Sequence, residues 1–512
     1  MLVKTYGSAV FGVSATTITV EVEIAPGINY YIVGLPDNAI KESQLRIETA
    51  LKHNDYKMPR KKIVINMAPA DIRKEGSAYD LTIAMGIMAA SEQIDAKNLK
   101  DTIIMGELSL DGSVLPIKGS LPIAIQAREE GFKRFFLPKS NAREAAIVNN
   151  LDVIGIEHIR DLVGHFKNEK VLKRTFVDTR EEFSENQKQY PYDFAEVKGQ
   201  KNIKRALEIA AAGGHNVILI GPPGAGKTML AKRLPSILPP LSLHEALETT
   251  KIQSISGLLE KEASLVAQRP FRSPHHTISD VALVGGGNIP QPGEISLAHN
   301  GVLFLDELPE FKRTVLEVLR QPLEERKINI SRAKFSVEYP CNFTLIASSN
   351  PCPCGFFNHP NKECKCAPGM VQKYMSKISG PLLDRIDLHV EVTPVEIDKL
   401  SEHQEGETSA DIRQRVLRAR KIQENRFTHS SLHCNAQMDA KEMNKFCHLD
   451  KQCTNLLNNA MKKLNLSARA YDRIRKVART ISDLHGEEKI KAENIAEAIH
   501  LRSLDRDYWY NA

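Results

Sequence analysis

Over the first 165 or so residues the hydrophobic positions fall in short β-rich runs, ITVEVEI, YYIVGL, KIVINM, TIIMGELSL and RFFLP, interleaved with the helical patterns SAYDLTIAMGIMAASEQ and SLPIAIQAREEG. That alternation predicts a compact α/β domain. From about 168 to 193 the chain turns polar and charged with no sustained apolar period, which predicts a linker. Two continuous apolar runs follow, NVILIG and GVLFLDE, each ended by turn or acidic residues, as in central strands of a parallel sheet covered on both faces. Beyond about 396 strand-like runs stop, and SADIRQRVLRARKIQENRF and LSARAYDRIRKVARTISDLHG carry helical spacing. In the second of these Ile474, Val477, Ala478, Ile481 and Leu484 form one apolar stripe, with Ser467 placed to cap the start and Gly486 to close the end.

Composition narrows this picture. A chain of 512 residues predicts three or four structural units at roughly 150 residues each. With 42% hydrophobic and 26% charged residues it is globular, which excludes collagenous, disordered and membrane-embedded classes. The 69 Lys and Arg against 63 Asp and Glu leave +6, too small an excess to imply a polyanionic partner by itself. MLVKTYGSAVFGVSATT lacks the basic start and unbroken apolar run of a secretory signal, so a cytoplasmic protein with no membrane partner is expected. Eight cysteines are too sparse for a disulfide framework, and four of them fall close together.

The chemistry begins at Gly221-Pro222-Pro223-Gly224-Ala225-Gly226-Lys227-Thr228, which fits GxxxxGK[ST] between a strand pattern and a helix pattern. Glycines let backbone N–H groups wrap phosphates, Lys227 reaches the β- and γ-phosphates, and Thr228 ligates Mg²⁺. ATP or GTP binding follows. Asp306 and Glu307 end the apolar run GVLFL, where one carboxylate can hold Mg²⁺ and the other can activate water. Asn350 ends FTLIASSN, where a polar tip beside the phosphate loop can contact the γ-phosphate or the water.

With GQ at Gly199-Gln200 upstream, this arrangement resembles an AAA+ ATPase. The resemblance implies sensor 1 at Asn350, an arginine finger at Arg385 in PLLDRIDLHVEV, sensor 2 at Arg469 in SARAYDR, and Val197 and Gln200 among the nucleotide contacts. The runs RPFRSPHHTISDVALVGGGNIPQPGEISLAHNGVLFLDELPEF, LRQPLEERKINISRA and NPCPCG are similar to the YifB/ComM family of magnesium-chelatase-like ATPases over essentially the whole chain. That likeness implies a homo-hexamer with a helix-2 insertion before Asp306 and a presensor-1 hairpin over about Lys327 to Tyr339. It also implies pore hairpins that touch single-stranded or branched DNA, and recombination proteins as possible partners. Arg272, His275 and His276 in the first hairpin and Lys327, Arg332 and Lys334 in the second supply charge that tracks phosphates without reading bases. Arg413, Arg415, Arg418, Arg420 and Lys421 add to it if those faces turn inward.

Cys352-Pro-Cys354 and Cys364-Lys-Cys366 read as a closed structural Zn²⁺ site, with free buried cysteines as the alternative and His359 as a substitute ligand. The N-terminal region resembles a Lon-type peptidase, but Ala78 stands at the nucleophile position and Leu121 at the lysine position, which implies a non-proteolytic domain unless Ser77 and Lys118 form a shifted dyad. The expected organisation is a Lon-like domain over 1–167, a linker over 168–193, an AAA+ core over 194–395 holding the cysteine insertion at 352–366, and a helical lid over 396–512. Three functions are in view: an ATP-driven DNA translocase promoting branch migration in natural transformation, a magnesium-chelatase-like motor subunit, and an ATP-dependent peptidase or protein remodeller.

Overall fold

The computed structural model describes residues 2–187, 190–259, 264–287, 290–332, 335–357, 359, 361–367, 369–394, 406–430 and 432–502. The chain divides into two compact units, one of Met1–Asn186, Leu243–Ala267 and Ile289–Pro292, the other of Gln187–Ser242, Gln268–Asn288 and Gly293–Ala512. Among the described residues no helix is long and apolar enough to cross a membrane.

The first unit is built on a mixed seven-stranded sheet. Its order is Tyr30–Val33, Lys62–Ala68, Ser14–Ala25, Leu2–Phe11, Thr102–Ile104, Arg134–Pro138, Asp152–Ile156. Leu2–Phe11 and Ser14–Ala25 pair antiparallel through all ten residues of the shorter strand, and alternate side chains of the pair enter the core. Helix Asp80–Ala90 is buried along its whole length and is apolar apart from Thr82 and Asp80, whose carboxylate is paired with Arg46 at 2.7 Å.

Two boundaries differ from expectation. The stretch read as a linker contains helix Thr179–Asn186, where Glu182 accepts hydrogen bonds from Arg143 and Ser264; local charge here serves ion pairing rather than solvation. Helix Leu243–Ser256, inside the 194–395 span, belongs to the first unit, where the backbone of Gly119 donates to Ser254 at 3.1 Å.

The second unit carries a five-stranded parallel sheet ordered Phe271–Arg272, Val302–Leu305, Thr344–Ser349, Val217–Ile220, Leu388–Glu391. The three middle strands are entirely buried, which explains their unbroken apolar runs. Beyond residue 406 the described elements are all helical, the longest being Ser409–Arg426, Lys451–Lys463 and Ala468–Leu484. Ser467 caps the last of these by accepting from the Ala470 N–H at 3.2 Å, and Gly486 follows its end at φ +70. Ile474, Val477, Ala478 and Ile481 are buried in one continuous apolar core with Ile346, Leu388 and Val390 of the sheet. The C-terminal helices therefore share a core with the five-stranded sheet.

His389, on the edge strand of this sheet, is buried beside Arg502, and burial pushes it down to about 3. An unfolded imidazole titrates near ~6.5, so below that value the unfolded chain holds a proton that the fold refuses. The stability this neutral ring contributes is present above pH ~6.5 and is lost on acidification, by up to ~1.4 kcal/mol per pH unit. His215, buried and lowered by the same cause, acts in the same direction. Chemical denaturation at pH 7 and pH 5 will show a marked loss at the lower value, and His389→Leu will make that dependence shallower.

Candidate nucleotide site and its surroundings

Parallel register assembles the site. Ile220 lies opposite Ser349 and Leu305 opposite Ala347, so the residues just past each strand tip, Gly221, Asn350 and Asp306, emerge together. Strand Val217–Ile220 leads into the phosphate loop, and helix Lys227–Ile237 starts directly from it. Gly224 and Gly226 sit at φ +77 and +84, left-handed values that side chains resist. The N–H groups of the helix's first turn have no partner within the helix and face the loop's hollow.

Lys227 is largely buried, and its Nζ donates to the carbonyls of Gly221 at 2.6 Å and Pro222 at 3.0 Å and to Asn350 Oδ1 at 3.0 Å. Burial lowers its pKa, while Asp306 and Glu307 work the other way. Thr228 donates to Asp306 Oδ2 at 2.8 Å, so hydroxyl and carboxylate already share the space a magnesium ion needs, and the donor set is the all-oxygen kind that Mg²⁺ takes. Glu307 is at φ +53 with its N–H held by Asp306 Oδ1 and Ser348 Oγ, both at 3.1 Å, which leaves its carboxylate exposed. Gln200 donates to the Ala225 carbonyl at 2.9 Å, and Val197 is buried at the end of the short helix Phe194–Glu196. Sequence thus brings together Gly221 to Thr228, Gln200, Asp306, Glu307 and Asn350.

Two arginines are placed elsewhere. Arg385, only 11% exposed, pairs with Glu324 at 2.8 Å and donates to the Pro381 carbonyl at 2.6 Å. Arg469 stands in the first turn of Ala468–Leu484 and its ion-pair partner is Asp384, at 3.8 Å, rather than the phosphate loop. Asp387 next along is fully buried against Arg473 at 3.0 Å and His215 at 3.7 Å, and accepts from the Asn216 N–H at 2.9 Å. Burial opposes its ionisation, but Arg473 and His215 hold its carboxyl well below the ordinary range.

The basic residues are less free than their sequence implies. Arg272 is in no hairpin: it lies on sheet strand Phe271–Arg272 and forks onto Glu294 with two bonds of 2.7 Å. His275 and His276 follow it with ring centroids 4.1 Å apart, and His275 is exposed. Strands Lys327–Arg332 and Phe335–Pro340 do form a hairpin, but Lys327 is paired with Glu338 at 2.9 Å. Arg332 ends the first strand, and Lys334 lies outside the described residues. On helix Ser409–Arg426, Arg415 is paired with Glu208 and Glu407, Lys421 with Glu424, and Arg420 caps the carbonyls of Ala211 and His433. Carboxylates thus pair with Arg272, Lys327, Arg415 and Lys421, while Arg420 is held in place by carbonyls.

The four cysteines converge. Their sulfurs lie within 4.8 Å of one another, with Cys352–Cys354, Cys352–Cys364 and Cys354–Cys364 at 3.3, 3.7 and 3.5 Å. A tetrahedron of Zn–S bonds of about 2.3 Å has edges of about 3.8 Å. The Phe357 N–H points at Cys352 Sγ at 3.3 Å, and the amides of Phe356 and Lys365 bond to Cys354, whose thiol is lowered to about 6 against the effect of burial. Amide donors of this kind suit thiolates, so the residues present fit a tetrahedral metal. His359 is not in the cluster; its Nδ1 accepts from the Asn361 N–H. The turn between the cysteine pairs touches the phosphate loop: Gly355 is at φ +83, and a Cβ there would stand 2.3 Å from Pro223 Cδ.

In the N-terminal unit Ser77 donates to Glu107, and among the described residues no hydrogen bond joins it to Lys118. Lys74, wholly buried, donates to the carbonyls of Gly34 and Pro69. Ala78 and the buried Leu121 bring no nucleophile or amine.

Sequence reasoning missed Ser348, whose hydroxyl donates to Asp306 and receives the Glu307 N–H, together with Glu324, Asp384, Asp387 and Arg473. The signal for the last three was present: the aspartates in LLDRID are three apart, and Arg469 and Arg473 are one helical turn apart.

Family models match three stretches of the chain. Residues 193–400 match magnesium chelatase, subunit ChlI; 20–141 match subunit ChlI of Mg-chelatase; and 406–502 match the C-terminal part of that subunit. The chain is 42% identical over 505 residues to the competence protein ComM of Haemophilus influenzae, covering 98% of this chain and 97% of that protein. It is 41% identical over 502 residues to the uncharacterized protein YifB of Salmonella typhimurium, covering 97% and 96%. Lon protease 2 of Bacillus subtilis is 31% identical over 210 residues, covering 36% of this chain and 37% of that protein. A phosphate loop on a parallel sheet, an Asp-Glu pair beside it and 41–42% identity to ComM and YifB along nearly their whole length lead to one conclusion: the chain belongs to the YifB/ComM family of magnesium-chelatase-like AAA+ ATPases.

Proposed function

We propose that this ATPase motor is a ring-forming DNA translocase that promotes branch migration during recombination of incoming DNA. The observation that carries the reading is 42% identity, over 98% of this chain, to a protein named for competence. The hairpin Lys327–Arg332/Phe335–Pro340, set in sequence between the Asp306-Glu307 pair and the strand that leads to Asn350, supports it, because a nucleotide-driven shift at either end reaches the ribbon between them. Thr228 and Asp306 would hold magnesium, which would neutralise charge on the phosphates. Lys227 and the loop amides bind and orient the β- and γ-phosphates, Glu307 takes a proton from the attacking water, and Asn350 orients that water. Arg385 supplies positive charge to the γ-phosphate of a neighbouring subunit, with Arg469 as sensor 2, and the assembly is a hexamer. The Lon-like unit acts without proteolysis, as a scaffold or DNA-contacting collar.

Strand displacement on three- and four-way junctions tests this: the wild type will resolve them with ATP, and Lys227→Ala will not. A protein that neither binds DNA nor hydrolyses ATP faster in its presence overturns the reading. The three chelatase-subunit matches favour a second one, a motor for magnesium insertion, which predicts hydrolysis indifferent to DNA and raised by partner chelatase subunits.

The cysteine cluster holds one structural zinc. Metal analysis of the purified protein will find about one zinc per chain, and Cys364→Ser, which removes one thiolate, will lose it and release the turn at Gly355 from Pro223. Metal-free wild-type protein that keeps the same melting temperature overturns this assignment.

A further inference from the structure

The segment bearing Arg385 is gripped from two directions. On one side stand the aspartate contacts to Arg469 and Arg473. On the other is helix Arg320–Glu325, joined to the segment twice: Arg320 donates to Ser379 Oγ at 3.2 Å, and Arg385 donates to Glu324 Oε1 at 2.8 Å. This helix feeds the hairpin through a single residue, Arg326, at φ +57. Arg326 is bolted to the hairpin's exit, since its carbonyl accepts from the Cys341 N–H at 2.9 Å and its guanidinium donates to Asn342. Six cross-strand pairs, Lys327↔Pro340 to Arg332↔Phe335, make the ribbon one piece. A push on the hairpin therefore moves Glu324 with it.

The grip on Arg385 is suited to release. Glu324 is 48% exposed, and an ion pair open to water on one side is weak. In this conformation the guanidinium is spent inside its own subunit, on Glu324 and the Pro381 carbonyl, and so is withheld from any phosphate outside it.

We propose that Glu324 is a positioning residue that parks Arg385 within its own subunit and releases it when nucleic acid displaces the hairpin. Nucleic acid on the ribbon thus becomes a condition for hydrolysis next door. The inference rests on the reading of Arg385 as a group acting on a neighbour and of the hairpin as the DNA contact.

Glu324→Gln keeps the shape and removes the charge on a half-exposed side chain. ATPase rate with and without single-stranded DNA, DNA affinity and melting temperature are measured in the full-length protein. The expected result is a basal rate raised about fivefold or more, a stimulation ratio that falls toward unity, and unchanged DNA affinity and melting temperature. In an Arg385→Ala background the same change will have no effect. A stimulation ratio equal to wild type, or a uniform loss of both rates, overturns the proposal. Mixing Arg385→Ala with Lys227→Ala chains separates this from the underlying reading. If each supplies what the other lacks, activity returns and Arg385 acts in trans whatever Glu324 does. If none returns, the trans reading itself falls.

Discussion

Glu307→Gln will lower the turnover of ATP by about 10²- to 10⁴-fold while leaving ATP binding intact. The residue sits past the tip of a buried strand in a left-handed backbone conformation, with its N–H secured by Asp306 and Ser348. Those bonds survive the substitution, because they are made by the main chain. What is lost is an exposed carboxylate that can take a proton from water, and an amide of the same shape cannot. Lys227→Ala is the contrasting variant: its ammonium is aimed where phosphate oxygens belong, so affinity itself will fall. Steady-state hydrolysis together with binding of a fluorescent ATP analogue tells the two apart. If Glu307→Gln keeps wild-type turnover, another group activates the water, and the assignment of Glu307 is wrong.

Asp387→Ala will destabilise the second unit by about 3 kcal/mol, toward the lower end for breaking a buried charge pair, because Arg473 keeps some access to water. The carboxylate is the common partner of Arg473, His215 and the Asn216 N–H, drawn from the last long helix and from the turn before the central strand. Removing it strands a guanidinium and a backbone donor at once. For a unit of roughly 300 residues the melting temperature falls by roughly 5 °C. Because folded Asp387 titrates below its unfolded value, its contribution is complete above pH ~4 and is lost only in stronger acid. The effect of the substitution will therefore be the same at pH 6 and pH 8. A melting temperature unchanged by Asp387→Ala would show that the cluster contributes no net stability.

Much of this was legible from one sequence, for reasons that are local. The phosphate loop, the Asp306-Glu307 pair and the Ser467 cap are each defined within a few residues, and the buried middle strands declare themselves as unbroken apolar runs. The four cysteines were legible because a short turn suffices to close them. What escaped depends on partners distant in sequence. Arg272 reads as a free cation until Glu294 folds against it, and Arg385 until Glu324 does. The region from 168 to 193 lacks an apolar period, yet Thr179–Asn186 is helical, with its Glu182 held by Arg143 from far earlier in the chain. Leu243–Ser256 lies in sequence between the phosphate loop and Asp306 and packs with the other unit, which no periodicity reports.

The strand order of the first unit sets a timetable. Leu2–Phe11 is the fourth strand of seven, and its parallel neighbour is Thr102–Ile104, so 102 − 11 = 91 residues separate the two partners. During synthesis at about 5–20 residues per second, a hairpin of Leu2–Phe11 and Ser14–Ala25 waits roughly 5–20 s with one edge unpaired. Unpaired edges recruit other strands, including those of nascent copies of the same chain. All seven strands of this sheet lie before residue 157 and the phosphate loop begins at Gly221, so the edge is closed before the motor has any ATP site of its own.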